Sequence, residues 1–143
     1  MSDANNKINF SLLKIKTEQF AVFEDSFDKN EVINLTTNLT FGLNIEDKVF
    51  VVTPKYTFET AGKPFIALQI SCFFKIDDIT WKGFIKKKQI VFPKAFIAHM
   101  AMITVGTSRG ILHTKTEETS FNEYLLPPLN VAEMIGENLI FDV

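Results

Sequence analysis

INLTTNLTFGLNI, residues 33 to 45, alternates without a break. Ile33, Leu35, Leu39, Phe41, Leu43 and Ile45 fall on one side, and Asn34, Thr36, Asn38, Thr40 and Asn44 on the other. A repeat of two belongs to a strand with one face toward a core and one toward water. Asn34 and Asn38 each open an Asn-x-Thr sequon, which matters only in a secreted chain. Downstream, Val49 to Glu59 puts Phe50, Val52, Tyr56 and Phe58 on one face, with Pro54 interrupting; a proline there favours an edge position or a bulge. After the turn Thr60-Ala61-Gly62-Lys63-Pro64, a fourth segment sets Ile66, Leu68, Ile70, Cys72, Phe74 and Ile76 inward and Ala67, Gln69, Ser71 and Lys75 outward. These two segments form a hairpin. Upstream, Ile8 to Phe23 holds apolar residues on even positions, switches parity at Leu13 and Ile15, and returns at Phe20 and Val22, as expected if a bulge re-aims the side chains.

Beyond Asp77-Asp78 the pattern changes. Thr80 to Gln89 reads as a loop carrying Trp81 and Phe84. A helix is expected from Pro93 to about Ser108, with Gly110 available to close it. Ala95, Phe96, Ile97, Ala98, Met100, Ala101, Met102, Ile103 and Val105 surround its axis, and Lys94, His99 and Thr104 are its main polar interruptions. A helix apolar on nearly all sides must be covered on more than one side. The sheet covers one; a second subunit or a ligand is expected on the other, with Ala98 and Ala101 permitting close approach and Met102 and Val105 beside them. After the polar Ile111 to Leu126 and Pro127-Pro128, Asn130 reads as the N-cap of a short helix with Glu133 three residues on and Val131, Met134 and Ile135 on one face. There is no internal repeat and no second domain, so residues 1 to 143 read as one domain with a core from about 8 to 136.

Length and composition agree: 143 residues and 16.3 kDa, 46% apolar and 22% charged, with 15 Lys+Arg against 17 Asp+Glu for a net charge of −2. That excludes a disordered chain and gives no basic excess for nucleic acid. Lys86-Lys87-Lys88, near Trp81 and Phe84, is the one candidate anionic-ligand patch. Of the aromatic residues, 15 are Phe, a type suited to a core or a greasy recognition surface and poorly suited to polar chemistry. No targeting segment is visible near Met1 and no apolar run reads as a membrane span, so a cytoplasmic protein is expected.

Chemistry-bearing patterns are absent. His99, His113, Cys72 and Asp77-Asp78 have no zinc-ligand spacing, and Cys72 faces inward as a small inert hydrophobe. Gly106-x-x-x-Gly110 sits at the wrong end of a helix for phosphate. Asp77-Asp78 and Glu117-Glu118 are adjacent loop acids with no acid–base geometry. The expectation is a non-enzyme with no cofactor and no metal.

Val91-Phe92-Pro93 opening a helix of small and apolar residues, Ser108-Arg109-Gly110 at its end, and Pro127-Pro128-Leu129-Asn130-Val131 before a short helix resemble the SecB protein-export chaperone family. Phe10 to Glu24, ending in Phe23-Glu24, and Phe65 to Ile76 look like that family's first and fourth strands. The resemblance implies an α+β fold: a four-stranded antiparallel sheet with a long helix and a short C-terminal helix packed on one face. It implies a homo-oligomer, a dimer or dimer of dimers, joined through the long helix and sheet edges. It also implies ATP-independent holding of unfolded polypeptides in hydrophobic surface grooves. Candidate groove residues are Phe20, Phe23, Phe73, Trp81, Phe84 and Tyr124, aromatics that fall off the inward strand faces or in loops. Export members carry outer-face acids that dock the SecA translocation ATPase; a fourth-strand glutamate of theirs corresponds to Ala67, and Glu24 and Glu18 alone keep that character. A dedicated chaperone or interaction module for one folded partner, such as an antitoxin, is the alternative, and an enzyme or small-ligand binder using an apolar cavity between sheet and helices is a third.

Overall fold

A computed structural model describes residues 9 to 143; the expected strand start at Ile8 lies outside the described residues. Four long strands, β1 (Phe10–Val22), β2 (Ile33–Asn44), β3 (Val49–Thr60) and β4 (Lys63–Ile76), form one antiparallel sheet in the order β1-β4-β3-β2. The even-numbered row of β4, Ile66 to Ile76, is wholly buried, as its alternation requires. On β1 the partners of that row are Phe10, Leu12, Ile15, Thr17, Phe20 and Val22, and register shifts between Leu12 and Lys14 and between Thr17 and Gln19 carry the change of parity. Thus two bulges, not one, re-aim the strand. The β3–β4 turn is two residues, Ala61 and Gly62, both with positive φ, the geometry that makes glycine useful there.

Pro54 is not on an edge. β3 lies inside the sheet, and its ladder to β4 runs to Val52↔Cys72 and resumes in the same register at Lys55↔Gln69. Proline has no N–H to give that ladder. The gap is bridged by side chains, with the hydroxyls of Thr53 and Ser71 2.7 Å apart.

The segment from Thr80 to Gln89 is not a loop. It comprises helix α1 (Asp78–Phe84) and the hairpin of β5 (Ile85–Lys86) and β6 (Gln89–Phe92). Trp81 and Phe84, one helical turn apart, face the core, and Lys48 pairs with Asp78 at 2.8 Å. The long helix α2 spans Lys94–Thr116, two turns beyond its expected end. Gly110 does not close it. A glycine inside a helix costs about 1 kcal/mol, whereas burying Leu112, which is fully enclosed, returns about 1.5–3 kcal/mol. By length and composition alone α2 also matches what a bilayer span requires, but 44% of that window is buried inside the fold. Asn138 caps it, accepting from Lys94 N at 2.9 Å.

Arg109 ties the following segment down by donating to the carbonyls of Leu126 (2.8 Å) and Pro127 (3.0 Å). Helix α3 (Val131–Met134) starts as expected, with Asn130 Oδ1 accepting from Glu133 N. A final strand, β7 (Leu139–Asp142), pairs with β6 and completes a small sheet of order β5-β6-β7. Nothing in the sequence reading anticipated it.

Candidate functional site

The phenylalanines gather at two ends of the sheet. At one end Phe50, Phe84, Phe92 and Phe96 meet with ring centroids 4.9 Å apart for Phe50–Phe92 and 5.0 Å for Phe84–Phe96, with Trp81 and Phe10 beside them. This cluster is closed. Trp81 and Phe84 are 5% and 8% exposed, so the reading of them as loop aromatics open to a client is corrected: they are core.

At the other end Phe27, Phe58, Phe65, Phe121 and Tyr124 form a second cluster. Phe27 lies 4.8 Å from Phe65 and 5.3 Å from Phe121, and Phe65 lies 5.3 Å from Tyr124. This one opens to solvent. Phe27 and Tyr124 are half-buried, and next to them along the chain Phe23, Val32 and Leu125 are exposed, Val32 at 75%. Phe23 N donates to Phe65 O at 2.8 Å, which fixes the chain as it leaves β1. Burial also raises the Tyr124 phenol above its usual range, with the Glu123 carboxylate adding to the shift.

The second cluster touches β2 through Phe58, which pairs with Leu35. β2 is an edge strand with an unusual composition: Ile33 to Asn44 holds no charge and no proline, and its twelve-residue register with β3 is unbroken. Edge strands are normally blunted by charges, prolines or bulges because their unpaired N–H and C=O groups invite another chain. β1, the opposite edge, has two bulges and carries Lys14, Lys16 and Glu18. β2 has none of these devices. Leu35, Leu39, Phe41 and Leu43 on its core side are only partly buried. The exposed Val32, one residue before β2, sets the rim of the open cluster beside the open edge.

Among the remaining candidates, Phe73 lies on the outer sheet face under the Lys14 ammonium, 4.8 Å from its ring centroid. Phe20 lies on the opposite side of β1, 5.8 Å from Lys115. The structure therefore brings Tyr124 and Phe23 to one site and leaves Phe20 and Phe73 elsewhere. Phe27, Val32 and Leu125 escaped the sequence reading because each is an isolated apolar residue in a polar stretch; that isolation is the only signal they give.

A second apolar furrow runs between β1 and α2. Phe10 and His99 meet at one end at 5.6 Å, and at the other Thr17, Thr107, Gly110, Ile111, Thr114 and Lys115 line an open depression of about 490 Å³. Leu12 and Ile15 are exposed along it, and Met102 on α2 is 60% exposed. Of the expected interface residues, Met102 remains open and Ala98 is half-buried near Ala132 and Ile135, whereas Ala101 and Val105 are buried against the sheet. Those two are corrected to core: the helix buries a stripe through Ile97, Ala101, Val105 and Ser108, on which they fall.

Glu18 sits at the second β1 bulge, where the Ser71 hydroxyl and then Lys16, 3.4 Å away, hold its carboxyl below the usual range. Glu24 opens the 3-10 turn after β1. Ala67 is buried opposite Ala21. The outer face presents Lys14, Lys16, Lys55 and Lys75 against Glu18 and Glu59, so it is no acidic platform. No group of three or more metal-ligating side chains occurs among the described residues.

No protein-family model matches the chain, and no curated protein matches it. Among solved structures its path is similar to that of a SecB-like chaperone, Rv1957 of Mycobacterium tuberculosis, in complex with a ChAD peptide from the HigA1 antitoxin: 11% identity over 85% of this chain and 91% of that one, TM-score 0.48. It is also similar to a protein of unknown function from Streptococcus agalactiae: 12% identity, 86% and 98% coverage, TM-score 0.40.

Proposed function

We propose that this chain is an ATP-independent holding chaperone of the SecB-like type, a non-enzyme that captures unfolded or partly folded polypeptides and needs no cofactor. One observation carries the reading: the unguarded β2 edge runs into an aromatic cluster whose rim is open to water. An unfolded client offers the two things this surface can pair with, apolar side chains for its open cluster and unpaired backbone groups for its open edge. The sequence resemblance supports the same reading. In this reading the protein is cytoplasmic and works as a dimer or dimer of dimers, the β1–α2 furrow with Met102 taking a second copy. We do not extend it to docking of the SecA ATPase, because the outer sheet face is more basic than acidic.

The test is suppression of aggregation of a chemically denatured client without nucleotide, using full-length protein with Val32→Asp and Leu125→Asp. Both positions are exposed, so the variants retain the parent's circular dichroism and melting. Loss of suppression supports the reading; unchanged suppression by both variants overturns it. A single stoichiometric partner in a pull-down, with no suppression by the parent, favours the dedicated-partner alternative.

A further inference from the structure

The β5–β6 hairpin turns through two residues, Lys87 and Lys88, beyond the closing pair Lys86↔Gln89. Lys87 holds φ of 59° there, at the first central position, where glycine is the usual occupant. Three consecutive lysines thus project from the tip, all exposed. Among the described residues no carboxylate lies within ion-pair distance of any of them. Asp142, on the neighbouring strand, takes its hydrogen bond from Gln89 instead. Setting these three aside from the 15 Lys+Arg leaves 12 against 17 Asp+Glu, so the rest of the chain stands at −5.

The same sheet face supplies an apolar neighbour. Gln89 and Val91 share a face of β6, and Asp142 and Ile140 share the matching face of β7. Ile140 is 58% exposed beside Val91. A basic rim next to an exposed aliphatic side chain has the two components of a peptide-docking surface: charge to steer and an apolar position to anchor. Single-stranded nucleic acid needs aromatic faces for its bases, and the nearby aromatics Trp81 and Phe84 are core. We propose that the hairpin tip and the Val91–Ile140 pair dock an acidic peptide segment that carries an apolar side chain. The proposal is independent of the client-holding reading.

The experiment is fluorescence anisotropy of full-length protein with a fluorescein-labelled peptide of alternating Glu and Asp around one central Leu, at low and high salt. Lys86→Gln/Lys87→Gln/Lys88→Gln is expected to weaken binding roughly tenfold or more and to flatten the salt dependence. Lys29→Gln/Lys55→Gln/Lys63→Gln, which removes the same charge elsewhere, is expected to weaken it less than about twofold, and Ile140→Ser several-fold. All are surface changes that leave melting unchanged. Equal losses in the two triple variants, no effect of Ile140→Ser, no binding by the parent, or equally tight binding of a single-stranded oligonucleotide of matched charge each overturn the proposal.

Discussion

Tyr56→Phe should stabilise this protein, and more so in alkali. Tyr56 is fully buried on β3, and its hydroxyl has no hydrogen-bond partner. Ser108 lies nearby on α2, where its hydroxyl donates to the Thr104 carbonyl at 2.7 Å, but it does not meet the Tyr56 hydroxyl in hydrogen-bonding geometry. An unpaired buried hydroxyl costs about 1–3 kcal/mol, and phenylalanine keeps the ring while removing it, so the gain should be about 1–2 kcal/mol. With an unfolding entropy near 2.1 cal/mol/K per residue, each kcal/mol moves Tm of a chain this long by about 3 °C. Burial, opposed more weakly by Ser108 and Arg109, pushes the Tyr56 phenol up to about 12. Its folded value thus lies above its unfolded one, so the stability it confers is intact below pH 10 and is lost as pH rises toward 12. At 1.36 kcal/mol per unit, the loss totals about 2–3 kcal/mol. Urea unfolding followed by the fluorescence of Trp81, the one tryptophan, at pH 8, 10 and 11.5 measures both effects. Destabilisation at pH 8 would show that the hydroxyl is bonded after all; a difference between variant and parent that stays constant through pH 11.5 would refute the burial argument.

Other consequences are as direct. Gly110→Ala should stabilise by about 0.5–1 kcal/mol, because the helix continues through Gly110 and an added Cβ has open space; a cap there would make the change destabilising. Leu112→Ala should cost about 2–5 kcal/mol in the same urea assay, and a cost under about 1 kcal/mol would mean that the last helical turns are not packed. Met102→Glu should reduce the mass measured by light scattering without altering melting of the subunit; unchanged mass would remove α2 from the interface. Asn38→Lys/Thr40→Lys, on the exposed side of β2, should change stability by less than about 0.5 kcal/mol yet weaken client capture several-fold in the aggregation assay.

The sheet was legible because its strands repeat every two residues over ten or more positions. Ile33 to Asn44 and Phe65 to Ile76 each give five or six agreeing side chains, enough to fix which face is buried. The parity switch at Leu13 disclosed one bulge, and the return to even positions at Phe20 is the trace of the second, at Glu18, which a single bulge leaves unexplained. Short elements gave no such redundancy. α1 buries only Thr80, Trp81 and Phe84, three residues that fit a loop as well as a helix, and β7 offers four residues. Pro54 misled because its lost N–H is compensated by the Thr53–Ser71 contact, a long-range pairing that local patterning does not contain. Gly110 misled for a related reason: its local preference to end a helix is outweighed by Leu112, whose burial depends on the sheet. At the site, Tyr124 and Phe23 were readable as aromatics outside the core pattern, but Phe27, Phe65 and Phe121 join them only through the crossing of the β1–β2 connection and the segment after α2.

The asymmetry between the two sheet edges decides where a client would bind. An open, uncharged edge can be satisfied in solution either by a second copy of β2 or by a foreign strand, and the two fates differ in one observable. If copies of β2 pair with each other, the unpaired groups are consumed in the resting oligomer, and lysines at positions 38 and 40 would split it as well as abolish capture. If the edge is kept free for clients, the same lysines would leave the mass unchanged and reduce capture alone, while Met102→Glu would alter mass through the β1–α2 furrow. The second pattern is the one expected here. β1 already carries the bulges and charges that discourage pairing through its backbone, so its furrow is left to associate by apolar side chains, and β2 retains a backbone that only a strand from elsewhere can complete.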